Sequence, residues 1–369
     1  MVCRPNQTGR AMNFCGLYES FQPPLYYVLA APAYLLGRTP VFGGSPDRAV
    51  TSMRLFGVLL LVVAIVLTLL LVREIVGRSS WAVSAFALLV FLLPGTIVRF
   101  VIIANASLEI PMALALTWML WRAWTRDSAR VFVVSAVLFG FCILTKVTLG
   151  PLLVPYAWTC VILAWRRRAT IHRALVMVGV AVVVPSAVVS PWLDFNRRHY
   201  DQWTANALAR RIQAPALNPT NRPFPWGQIT RDMIHQLAHF STPQEWLTLP
   251  DQALPLFLRW VLLVIFGVAP LVIVLVRAAR HRPRADARQW VLLVSPLPSA
   301  VGFLLVEANA QRWDFILARY FLFAVPAFVV FAGLRWRDVI GQDGRLLALV
   351  LGTAALALTF WAALAPQVA

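Results

Sequence analysis

Five stretches of the chain, Leu55–Val72, Trp81–Val98, Leu175–Leu193, Leu256–Val276 and Leu346–Leu364, hold no charged residue apart from Arg259. Each is close to the roughly 20 apolar residues that a helix needs to cross hydrocarbon. One water-surrounded core cannot shelter so many runs. Of 369 residues, 60% are apolar and 13% charged, whereas a soluble domain is about half apolar and a quarter charged. Lipid must cover the surplus, so the chain reads as an all-α, polytopic membrane protein.

The formal charge of +18 would suit nucleic acid if the basic residues formed one patch. They are instead dealt into short connectors between apolar runs, which excludes a nucleic-acid partner and sets topology. Arg73–Arg78, Arg122–Arg130, Arg166–Arg173, Arg277–Arg288 and Arg335–Arg345 all fall on one side of an alternating path. The positive-inside rule places that side in the cytoplasm. Arg99–Ser107, the tight turn at Lys146, Glu307–Ala318 and the long segment Asp194–Leu254 then lie outside. The expected spans are 55–72, 80–98, 108–124, 131–145, 147–165, 174–193, 255–276, 289–306, 319–334 and 346–364, about ten in all. This divides the chain into an outer N-terminal segment (1–54), a first helical group (55–193), a long outer loop (194–254) and a second helical group (255–369).

The N-terminal segment fits less simply. Leu25–Gly37 is apolar but short and contains Pro32, which suits a juxtamembrane helix better than a span. Parity places residues 1–53 outside, yet Met1–Ser20 has no charged region leading into an apolar one, as a signal peptide would. A first transmembrane helix upstream of Met1 is therefore expected to be missing. Cys3 and Cys15 could pair in an oxidising compartment, while Cys142 and Cys160 sit in apolar helices as packing residues.

Five segments carry a family resemblance. Tyr18–Tyr27 contains Gln22-Pro23-Pro24-Leu25-Tyr26-Tyr27, and Arg54-Leu55-Phe56-Gly57 opens the first long run. Leu144-Thr145-Lys146 forms the tight turn. Asn196–Asp201 opens the long loop, and Ala318–Ala327 includes Arg319-Tyr320. In this order they resemble the bacterial membrane glycosyltransferases of the GT-C type, relatives of protein O-mannosyltransferases and the lipid A aminoarabinose transferase. The resemblance implies a bacterial inner (plasma) membrane location and a family first helix that this chain lacks. It also implies a polyprenyl-phosphate sugar donor and a glycan, lipid or protein acceptor outside the cytoplasm. No cofactor is called for, although a divalent cation could assist.

Such chemistry needs cations for a departing lipid phosphate and a carboxylate for the acceptor hydroxyl. Lys146, the single lysine among 33 basic residues, stands at a membrane boundary as a compact charge suited to phosphate. The alternative is a lysine snorkelling to headgroups. Arg319, with Tyr320, opens a helix on the same side and could share the phosphate or serve as an interfacial anchor. For the carboxylate, family members carry acidic stretches such as N-D-S-L, where this chain reads Asn105-Ala106-Ser107-Leu108-Glu109. Alanine holds the acidic position. Glu109 would project from nearly the same face, as a substitute acid or as a charge favouring the helix N-terminus. Glu19 is the other outer acid, three residues before Gln22, and solvated loop charge is its plainer role. Pro23 and Pro24 stiffen the approach that sets Tyr26 and Tyr27 at the interface.

No metal cluster is evident: His235 and His239 are spaced as helical neighbours, with Asp232 the nearest further ligand, and read as surface histidines. Two other classes compete. A transporter would show paired intramembrane charges or matched broken helices. A non-catalytic scaffold of the same fold would keep the helices without the acids.

Overall fold

The computed structural model describes residues 23–42, 44–76, 81–92, 94–101, 103–166, 171–203, 272, 290–311 and 322–340. Among them there is helix and no strand. The helices are α1 (Leu25–Gly37), α2 (Pro46–Val76), α3 (Trp81–Leu92), α4 (Pro94–Val101), α5 (Ala106–Thr125), α6 (Ala129–Thr145), α7 (Leu153–Arg166), α8 (Ile171–Tyr200), α9 (Val291–Val294), α10 (Pro296–Gln311) and α11 (Val325–Ile340). Short 3₁₀ turns occupy Pro40–Phe42, Val147–Leu152 and Leu322–Ala324. Three stretches, Pro46–Val76, Val147–Arg166 and Ala174–Tyr200, are long and apolar enough to cross a membrane. The described residues are all-helical, and the chain is a multi-pass membrane protein.

Helix α5 is the axis of the bundle. Most of it is buried, and α2, α4, α6, α7, α9, α11 and the Leu322–Ala324 turn all pack on it. It meets α6 through a three-residue connector. Asp127 takes a left-handed conformation (φ 43°), the Ser128 amide donates back to the Ala123 carbonyl at 3.2 Å, and the Ser128 hydroxyl caps α6 at the Val131 amide. This closes one helix and opens the next within a turn, so α5 and α6 lie antiparallel.

Two glycines permit close helix contacts. A Cβ at Gly57 of α2 would collide with the Phe100 carbonyl of α4, and one at Gly140 of α6 would fall 2.7 Å from Val188 Cβ of α8. Prolines within α8 leave carbonyls that neighbours use. Pro185 has no N–H for the Ala181 carbonyl, which instead accepts from the Tyr156 hydroxyl at 3.0 Å. Pro191 likewise frees the Ala187 carbonyl for Ser190. Tyr156 is stacked between Phe132 and Phe139 of α6, with ring centroids 5.3 and 4.7 Å away. These contacts lock α6, α7 and α8 together. Cys142 and Cys160 are free and buried, each facing a backbone carbonyl of a neighbouring helix.

The structure departs from the expected spans in places. The run 80–98 is divided between two helices, the second opening at Pro94, which has no amide to donate to a preceding turn. Pro94 suits the first position of α4. Helix α2 begins at Pro46 and passes unbroken through residue 54, and α8 continues to Tyr200. Polar residues can extend a helix beyond the apolar part that hydropathy detects. The spans expected at 255–276 and 346–364 lie outside the described residues, apart from Val272.

Charge separates the two ends of the bundle. At one end Glu74 of α2 faces Arg126 at 3.4 Å and Arg122 at 3.8 Å, and Arg166 donates to the Trp124 carbonyl at 2.9 Å. This arginine end unites three of the connectors expected on one membrane side. The other end of α5, about 20 Å away at 1.5 Å per residue, carries Glu109 and Lys146.

Candidate functional site at the lysine end of the bundle

Helix α6 stops at Lys146, whose backbone is extended (φ −167°, ψ 136°). The Lys146 amide still donates to the Cys142 carbonyl, while its carbonyl accepts from Leu149 and starts the 3₁₀ turn. The side chain folds back across the helical hairpin. Lys146 Nζ lies 2.6 Å from Glu109 Oε1, with the lysine side chain 17% exposed and the glutamate 1% exposed. Glu109 sits in the first turn of α5, where the helix dipole favours a negative charge.

The pairing adds one fact to the sequence readings of both residues: Lys146 is turned to a buried carboxylate. Glu109 is a buried partner to that lysine, which constrains any role as the acid that meets an acceptor. A buried charge pair is one of the marks expected of a transporter. Its position counts here: the pair lies at the end of α6 and the first turn of α5, at the end of the bundle.

Around the pair, the start of α5 is sealed. Asn105 is 4% exposed and Ser107 wholly buried. Asn105 precedes α5 without a side-chain cap to it. Pro111 has no N–H to give the Ser107 carbonyl, so this first turn is looser in backbone bonding than the rest of α5.

The start of α1 arrives at the same place. Tyr26 is wholly buried, its ring 5.3 Å from Tyr27 and 6.2 Å from Phe56 of α2. Its hydroxyl faces the Ser107 side chain and the Ala104 backbone without closing a well-shaped hydrogen bond to either. Burial pushes the Tyr26 hydroxyl's pKa up, against the smaller opposing effect of those two neighbours, so it stays a proton donor. Further along, Gly37 packs against Ala49 and Ser52 of α2, so α1 folds back along the start of that helix. The Leu322–Ala324 turn also packs on α5, from which α11 runs to Arg335, stacked 4.2 Å over Trp290.

Of the residues singled out in the sequence, the structure unites Tyr26, Tyr27, Asn105, Glu109 and Lys146. Glu19, Gln22, Arg319 and Tyr320 lie outside the described residues, as do Asp232, His235 and His239. Among the described residues, no group of three or more His, Cys, Asp or Glu is placed to hold a metal ion. Ser107 had not been singled out, although it lies inside the Asn105–Glu109 stretch.

The geometry is that of a cation held by a carboxylate at one end of a membrane helix bundle, with an aromatic helix start beside it. Residues 30–194 match the family model of dolichyl-phosphate-mannose-protein mannosyltransferases. The match runs from α1 into α8 and takes in Asn105, Glu109 and Lys146, while Tyr26 and Tyr27 precede it. No curated protein matches the chain. Of the five segments that carry the motif resemblance, Arg54–Gly57 and Leu144–Lys146 fall inside the match.

Proposed function

We propose that the chain transfers a sugar from a polyprenyl-phosphate carrier to an acceptor hydroxyl, on the outer face of a bacterial plasma membrane. The convergence of Lys146, Glu109, Asn105 and Tyr26 at one end of the bundle carries this reading. The mannosyltransferase match over residues 30–194 supports it.

In this reaction the acceptor oxygen bonds to the sugar's anomeric carbon as the bond from that carbon to the phosphate oxygen breaks. The electron pair leaves with the lipid phosphate, and the acceptor proton passes to a carboxylate. Lys146 stabilises the departing phosphate, where negative charge grows. Glu109 acts as a positioning residue that keeps the ammonium at the mouth of the hairpin until the phosphate shares it. Arg319 and Tyr320 supply further phosphate contacts, and Asn105 an amide contact beside them. Gln22, Tyr26 and Tyr27 shape the approach from the membrane. The proton falls to Glu19, since the buried, lysine-held Glu109 is poorly placed to meet an acceptor.

The test is turnover. Purified protein in lipid nanodiscs, given mannosyl-phosphate polyprenol and an envelope extract as acceptor source, is expected to release polyprenyl phosphate and label the extract with mannose. Persistence of intact donor, with this and other sugar-loaded carriers, would remove the enzymatic reading and leave the scaffold.

A further inference from the structure

Helix α8 contributes a second set of groups that the reaction outlined above does not use. Ala181, Pro185, Val188, Trp192 and Asn196 recur along it at three- and four-residue spacing and so lie on one stripe. Ala181 meets Tyr156, and Pro185 and Val188 meet Gly140. Helices α6 and α8 run in the same direction, and both rise about 1.5 Å per residue. Advancing equally from the Gly140 contact brings Trp192 level with Thr145 and Lys146. Asn196 stands about one turn, or ~6 Å, further out.

Both side chains are buried, Trp192 7% and Asn196 0% exposed, and each keeps an unsatisfied polar atom. Trp192 Nε1 has no acceptor and Asn196 Oδ1 has no donor. The amide orientation is determined by its other end, since Asn196 Nδ2 donates to the Trp203 carbonyl at 3.3 Å. Trp203 itself lies beneath the Arg197 guanidinium, 4.7 Å from its ring, which ties down the end of α8. Buried polar groups without partners are costly and uncommon in folded proteins. Here one is a donor and the other an acceptor, on successive turns of one stripe. A hydroxyl complements the pair, because its oxygen can accept from the indole N–H while its hydrogen goes to the amide oxygen.

We infer that Trp192 and Asn196 form the subsite that binds a hydroxyl of the donor's sugar, outward of the phosphate at Lys146. This rests on the sugar-transfer reading. It makes α8 the element that distinguishes a sugar-loaded carrier from a bare one, a role separate from phosphate binding.

The experiment compares binding of mannosyl-phosphate polyprenol and bare polyprenyl phosphate to the full chain in nanodiscs. Wild type is expected to prefer the loaded carrier. Trp192→Phe, which keeps the ring and removes the N–H, and Asn196→Ala are each expected to reduce that preference by about three- to tenfold, the worth of one hydrogen bond. The double variant should lose little more than either single one if both groups hold the same hydroxyl. Bare-carrier affinity should stay unchanged in all three, which also shows that they fold. Equal preference in wild type and variants would overturn the inference and leave these groups as holders of water, with the sugar-transfer reading intact. Failure of either carrier to bind wild type would overturn both.

Discussion

Exchange of Lys146 for alanine is expected to lower sugar transfer by about 100- to 1,000-fold, the usual effect of removing one group that stabilises developing negative charge. The protein should still insert, since the apolar helices that carry it into the membrane are untouched. The informative readout is the division between binding and turnover. A lysine that meets the leaving phosphate chiefly in the transition state changes kcat more than KM. Arginine should restore activity poorly, because its planar fork does not replace a compact ammonium folded into the α5–α6 hairpin. Steady-state rates with a saturating sugar-loaded carrier measure this, and unchanged turnover in the alanine variant would take Lys146 out of the site.

The second large effect concerns Glu109. Its exchange for alanine leaves a mostly buried ammonium without its 2.6 Å partner. Breaking a buried pair by removing one side costs about 3–5 kcal/mol. A marked fall in the midpoint of thermal unfolding in detergent is therefore expected. The double variant Glu109→Leu with Lys146→Met removes both charges and fills similar space, and such replacements are often neutral or stabilising. It should recover stability close to wild type while remaining inactive. That combination separates the structural work of the pair from its chemistry. Full activity in the double variant would show that the pair serves the fold alone.

Much of the fold could be read in advance because burial in lipid writes itself plainly into a sequence. Uncharged runs and arginine-rich connectors located the helices described around 46–76, 106–125, 129–145, 153–166 and 171–200. The break before Pro94 was missed because hydropathy does not register a proline within an apolar run. The longer reach of α2 and α8 was missed because their outer turns are polar. At the site, Lys146 and Glu109 were both legible as candidates, but their pairing was a tertiary fact. A signal for it existed: the two lie nearly equidistant in sequence from Asp127, about which α5 and α6 fold. The approach of Tyr26 to Ser107 had no such signal, since it depends on how α1 folds back along α2. The unsatisfied atoms of Trp192 and Asn196 could be recognised only once α6 and α8 were in register.

Binding of a lipid-borne phosphate at the lysine end of the bundle can be located by photo-crosslinking. A polyprenyl phosphate with a photoreactive group on its first isoprene unit would be irradiated with the protein in nanodiscs and the adducts mapped by peptide mass spectrometry. Adducts are expected in Leu25–Leu29, Asn105–Met112 and Lys146–Leu152, and should diminish in the Lys146→Ala variant. Labelling confined to the opposite end, around Arg73–Val76 and Arg122–Arg130, would place the phosphate away from Lys146 and overturn the proposed site.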